Sequence, residues 1–309
     1  MTLIRKPSEL TTPTTIKILV YGQPGIGKTT LGLSTVSPLL LDFDGGVHRV
    51  NPMHQTDTVQ ISSWEDCLNV LKEDLNDYRT LVIDTAGKML DYMSLYLIQR
   101  NGKLGKSNGA LTLQGYGERK AEFIAFLKTV SLMGKHLVFI AHEKEDKDGD
   151  QKIVRPEIGG SSAGDLIREL DLVGYMEAIG KKKTISFDPC EKYYAKNTCQ
   201  LPALMDIPVL TDSRNDFLTG IITQYNASIE HRKEVANDYM AIMEVIHGAA
   251  EGITDAKTCN EFADHVNKLQ HVWDSKLQAA LIARDKAKEL GLTLNKSKKY
   301  EQVKNLSDV

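Results

Sequence analysis

Through the first two-thirds of the chain, short apolar runs alternate with stretches whose apolar residues recur every three or four positions. The runs IKILVY (16–21), PLLLDF (38–43), TLVIDT (80–85) and HLVFIAH (136–142) read as buried strands, with TVQI (58–61) as a shorter one. Helical spacing over 64–77, 87–100 and 117–133 fills the gaps between them. Strand–helix alternation of this kind predicts an α/β fold with a mainly parallel sheet.

Further on, GGSSAGDLIREL (159–170) leads into a strand, DLVGYMEAI (171–179), and KTISF and KYYAKN flank DPCE as a hairpin would. Two polar segments, 101–115 and 143–152, read as loops, the first mobile because it is rich in Gly, Asn and Lys. After about residue 230 strand signals stop and helical periodicity continues alone. The expected organisation is an arm over 1–13, a core over 14–228 and a helical module over 229–309 with a Lys-rich tail.

Composition narrows the function classes. Across 309 residues, 41% hydrophobic and 26% charged, the net charge is −3, so no global basic field marks a nucleic-acid binder and any such surface must be local. No apolar run reaches the roughly 18–20 residues that span a bilayer. The polar N-terminus lacks the apolar heart of a signal peptide. Cys67, Cys190, Cys199 and Cys259 are solitary, which fits a reducing, cytoplasmic compartment. Cys190 and Cys199 have no neighbouring His or Cys that would complete a zinc site.

The candidate chemistry is concentrated at Gly22-Gln23-Pro24-Gly25-Ile26-Gly27-Lys28-Thr29, a G-x-x-x-x-G-K-[ST] pattern between a buried strand and a helix start. Its glycines let backbone N–H groups converge on phosphate oxygens. Lys28 is expected to reach the β- and γ-phosphates, Thr29 to ligate Mg²⁺, and Thr30 to continue the cradle. Asp84, at the carboxyl end of its strand, is the second expected holder of the metal. Asp42 and Asp44 end the strand after the cradle helix, and Asp44 is the candidate for orienting an attacking water. His142 would arrive at the same sheet edge to contact the γ-phosphate. DTAG (84–87) imitates a guanine-nucleotide switch, but Glu143 stands where the guanine-reading Asn would be.

Residues 100–120 hold Arg100, Lys103, Lys106, Arg119 and Lys120 against Glu118, with Tyr116 as a ring on which a base could stack. Positive charge beside an aromatic platform is how proteins bind single strands without reading sequence. The 143–152 segment carries more acids than lysines and is a poor phosphate binder.

The blocks GQPGIGKTT, LLLDFDGG, LVIDT, QGYGERKAEFIAFLKTVSLMGKHLVFIAHEKED and GGSSAGDLIRELDLVGYM resemble the phage-encoded RecA-like nucleotide-binding proteins of the single-strand annealing and recombinase type, over roughly residues 14–210. The resemblance implies a RecA-like P-loop core, ATP and Mg²⁺, single-stranded DNA, a ring or filament of identical subunits, and a role in phage recombination, annealing or replication in a bacterial cytoplasm. It puts Asp44 at the position of the catalytic glutamate, one methylene shorter, and His142 at that of the sensor glutamine. Lys196, in YAKNTC, stands where related motors supply a cationic finger to the neighbouring subunit's phosphates, but Thr198 replaces the Arg of a helicase. Rival readings are a GTPase-type switch, a hexameric helicase motor, and a non-catalytic ATP-dependent scaffold whose C-terminal module meets a protein partner.

Overall fold

A computed structural model describes residues 14–148, 151–159, 162–209 and 215–302. They form two compact units, divided between Asn226 and Ala227.

The first unit is built on a mixed, mostly parallel sheet. Its strands are β1 (Lys17–Gly22), β2 (Pro38–Asp42), β3 (Thr58–Gln60), β4 (Thr80–Asp84), β5 (His136–Asp148), β6 (Gln151–Pro156), β7 (Leu172–Ile179), β8 (Lys182–Ser186), β9 (Lys196–Asn197) and β10 (Leu204–Ile207). The spatial order is β10-β8-β7-β1-β5-β4-β2-β3, parallel from β7 to β3, with β8 and β10 antiparallel at one edge. Because β5 lies between β1 and β4, the register aligns Gly22 with His142 and Asp84 with Ile140. The carboxyl ends of the cradle strand, the His142 strand and the Asp84 strand therefore share one edge.

Both faces of the sheet are covered, so its strands are apolar on both sides. In β1, Leu19 and Tyr21 enter one buried cluster with Trp64, Met89, Phe123 and Phe139. Ile18 and Val20 enter the other with Leu31, Leu40, Phe187 and Leu218. The helices of this unit are α1 (Lys28–Gly32), α2 (Trp64–Val70), α3 (Ala86–Arg100), α4 (Leu113–Leu132), α5 (Ser162–Glu169) and the start of α6 (Phe217–Glu251).

Four local expectations are corrected. The helix predicted over 64–77 opens on a Ser63–Asp66 capping box and stops at Val70, because the chain turns to bury Leu75 and lend its carbonyl to the Lys135 ammonium. The 101–115 segment closes on itself instead of standing as an open loop. Leu104 and Leu111 are buried, Gly105 bridges Leu111, Thr112 donates its N–H to the Leu104 carbonyl, and α4 begins at Leu113. The 143–152 loop is mostly strand, since β5 runs on to Asp148 and pairs antiparallel with β6. KTISF and KYYAKN are not partners: β8 pairs with β7 over 175–179, and β9 pairs with β7 at Leu172 and Val173.

The second unit holds the rest of α6, then α7 (Ala256–Val266) and α8 (Ser275–Glu289), around a small cluster that includes Ile246, Cys259, Phe262 and Ala283. Its end is not helical throughout. Gly291, at φ 66°, stops α8, and β11 (Leu292–Leu294) and β12 (Tyr300–Gln302) form an antiparallel hairpin with Leu292 buried. Among the described residues, no helix is long and apolar enough to cross a membrane.

Candidate nucleotide site

The cradle loop needs its glycines for two different reasons. A Cβ on Gly22 would stand 2.4 Å from the Met176 carbonyl oxygen of β7, so close approach excludes a side chain there. Gly27 has φ 101°, a left-handed conformation that costs other residues free energy. Ile26 is buried in the sheet's apolar cluster and pins the loop, leaving Gln23, Pro24 and Gly25 exposed.

Lys28 is buried, and its ammonium donates to the carbonyls of Gly22 at 2.9 Å and Gln23 at 2.7 Å. Burial pushes its pKa below the ordinary lysine value, while the carboxylates of Asp84 and Glu143 pull it back up. The Thr29 hydroxyl donates to Asp84 Oδ2 at 2.6 Å. Asp84 is itself buried, and its carboxyl is raised above the usual range by that burial and by neighbouring Asp42 and Asp44, against the lowering effects of Thr29 and Lys28.

The end of β2 is tied to the end of β4. The Asp84 carbonyl accepts N–H bonds from Phe43 at 2.7 Å and Asp44 at 3.1 Å. Asp42 is buried and accepts the N–H groups of Asp44, Gly46 and Val47 at 3.2, 3.1 and 3.0 Å. It organises the loop that follows rather than facing a ligand. That loop directs Asp44 and Arg49 to a cavity of about 150 Å³ that they share with Lys28, Thr29, Asp84 and His142. Arg49 lies 3.9 Å from Asp44 as an ion pair and rests against Gly46. His142 lines the same cavity, and its enclosed Nδ1 has no hydrogen-bond partner among the described residues.

These groups fit a nucleotide with a hard divalent cation. Thr29 and Asp84 supply oxygen ligands of the kind Mg²⁺ takes, Lys28 supplies a cation whose hydrogen bonds go to neutral carbonyls, and His142 lines the cavity with an enclosed Nδ1 that has no partner among the described residues.

Lys28, Thr29, Asp44, Asp84 and His142 are thus brought together, and Lys196 is not. It lies on β9, opposite Val173, toward the amino end of β7 and away from the cradle edge. Its ammonium donates to the carbonyls of Ile167, Arg168 and Leu170, closing the end of α5. Within its own chain Lys196 therefore does not reach the cradle.

The 100–120 group divides similarly. Arg119 is buried, donates to the Ser94 hydroxyl and the Gly159 carbonyl at 3.0 Å each, and covers the Tyr116 ring at 4.9 Å. It braces α4 against α3, and it takes one face of Tyr116 from any base. Arg100 folds over Tyr96. Lys103, Lys106 and Lys120 are exposed. Of the GGSSAG segment, Gly160 and Ser161 lie outside the described residues.

Sequence reasoning missed three groups at the cradle. Arg49 follows the predicted strand by several residues, and its approach depends on the Asp42-bound loop. Glu143 hydrogen-bonds Tyr175 and acts electrostatically on Lys28 across the sheet edge. Lys183, within a run of three lysines, places its Nζ 3.1 Å from where a Gly27 Cβ would be.

Residues 14–199 match the family model described as the AAA domain, more than half of the chain. No curated protein matches it.

Proposed function

Because the chain belongs to the AAA domain family of P-loop proteins, we propose that it is an ATP-binding, Mg²⁺-dependent ATPase whose nucleotide cycle is coupled to single-stranded DNA. The observation that carries the ATPase reading is the convergence of Lys28, Thr29, Asp44, Asp84 and His142 on one small cavity at the sheet's carboxyl edge.

Each residue has a distinct part in this proposal. Lys28 exchanges the carbonyls of Gly22 and Gln23 for phosphate oxygens, a charge-assisted bond stronger than those it leaves. Thr29 and Asp84 hold the metal, which when bound neutralises charge on the β- and γ-phosphates. The Asp44 carboxylate orients the attacking water, and His142 meets the γ-phosphate from the wall of the same cavity. Asp44 is shared with Arg49, which must release it before it can hold the water.

The DNA-directed part rests on exposed Lys103, Lys106 and Lys120 and on the resemblance to phage recombinase-type proteins. That resemblance also supports a homo-oligomer acting in strand annealing, recombination or replication. Lys28→Ala, wild type and GTP in place of ATP, each assayed for turnover with and without single-stranded DNA, test the reading. ATP turnover that rises with DNA and disappears in Lys28→Ala is the expected result. Turnover indifferent to DNA removes the coupling, and preference for GTP replaces the ATPase with a guanine-nucleotide switch.

A further inference from the structure

Gly27 and Thr30 line two cavities, not one. One is the small cavity of Asp44, Asp84 and His142. The other, of about 260 Å³, opens toward Met176, Ile207 and Pro208 and has Lys181, Lys183 and His54 in its wall. That volume is just below the roughly 300–1,000 Å³ of small-molecule sites, and an apolar wall with few polar groups is their usual make-up.

Strand geometry selects which lysine enters. Successive side chains in a strand point to opposite faces. At the start of β8, Lys182 turns away to pair with Asp206 at 3.0 Å, while Lys183 lines the cavity, joined by Lys181 from the turn before the strand. The Lys183 ammonium lies against the cradle backbone, 3.1 Å from the position of a Gly27 Cβ, and no carboxylate partners it among the described residues. A second polar residue stands in the same wall. His54 is 91% buried, and its Nε2 has no hydrogen-bond partner among the described residues. A cation without a carboxylate partner beside the cradle and an unpaired buried nitrogen thus share one wall, and the second is costly as it stands.

Resting on the ATP-binding reading, we propose that Lys183 is a second cationic ligand for the nucleotide, supplied by the β7–β8 hairpin of the same chain to the α-phosphate. The triphosphate end then lies in the Asp44–Asp84 cavity and the nucleoside in the larger one, with the cradle between them. Lys28 and Lys183 approach the phosphate chain from its two ends. The hairpin gains a reason to follow nucleotide occupancy, because ADP retains the group that Lys183 holds.

Calorimetric titration of ATP, ADP and adenosine into wild type, Lys183→Met, Lys182→Met and Lys28→Ala tests this. Lys183→Met is expected to weaken ATP and ADP alike by about tenfold or more, the loss of one charge-assisted bond. Adenosine affinity and the melting temperature are expected to hold, and Lys182→Met to bind both nucleotides as wild type does. Wild-type affinity for ADP in Lys183→Met overturns the proposal, as does a loss confined to ATP, which would put Lys183 at the γ-phosphate. If Lys28→Ala abolishes binding in either case, the ATP-binding reading stands separately. If wild type binds no nucleotide, both fall.

Discussion

Thr29 donates a 2.6 Å hydrogen bond to Asp84 across the gap between α1 and β4, so the two oxygen groups expected to share a metal already touch. The arrangement is electrostatically tense: Asp84 is buried, with Asp42 and Asp44 adding negative charge and Lys28 opposing them. Removing that charge relieves the free protein while disabling the site. Asp84→Asn is expected to melt no lower than wild type without ligand, and to lose the rise in Tm that MgATP gives the wild type. A preserved MgATP shift in the variant would take the metal away from Asp84.

Asp42 and Asp44 are two residues apart, with opposite consequences. Asp42→Ala leaves the Gly46 and Val47 N–H groups without their acceptor, while that of Asp44 keeps the Asp84 carbonyl, and is expected to cost about 1–3 kcal/mol in urea unfolding. Asp44→Asn leaves that network intact. It is expected to change stability by less than about 0.5 kcal/mol, yet lower turnover about 100-fold, the lower end of what a positioned base contributes. Equal stability losses in the two variants would contradict the division of roles.

The 100–120 segment yields a similar contrast. Arg119→Met removes two hydrogen bonds from a buried guanidinium and is expected to destabilise the protein by about 2 kcal/mol. Lys103→Ala with Lys106→Ala is expected to leave the melting curve in place. If each lysine neutralises one phosphate, the slope of log affinity for single-stranded DNA against log salt falls by about 1.4 for the pair, at about 0.7 per phosphate. An unchanged slope would remove these lysines from the DNA surface.

The strands and the cradle were legible because they depend on local pattern. Buried runs such as LVYG and LVID, and the glycine spacing before Lys28, carry their own signal within ten residues. The errors arose where distant parts of the chain decide. Arg119 looks like a surface cation in sequence, and only α3 and Gly159 folding over it make it a strut. Lys196 looks like a hairpin lysine until the end of α5 presents its carbonyls. Lys183 looks like one of three solvated lysines, and the pairing of β8 with β7 turns it toward Gly27 while Lys182 finds Asp206. Charge alone does not tell these fates apart, because the neighbours that fix them lie far away in sequence.

His136, at the first position of β5, gives the fold a pH dependence of known sign. Its Nδ1 accepts the Ile16 N–H at 3.2 Å, which requires the neutral ring. Burial, and secondarily the Arg79 charge, hold its pKa below the ordinary histidine value. Above about pH 6.5 the ring is neutral in both folded and unfolded chains, and the bond contributes fully. As pH falls through that value the unfolded chain takes up a proton that the folded one refuses. Stability is then lost until the lowered folded pKa is reached, where the loss levels off. Urea midpoints measured from pH 8 to pH 5 are expected to fall below about pH 6.5 in wild type and to fall less in His136→Asn, which keeps an acceptor but cannot titrate. Parallel curves for the two proteins would assign the acid sensitivity to other groups and leave His136 as a packing residue alone.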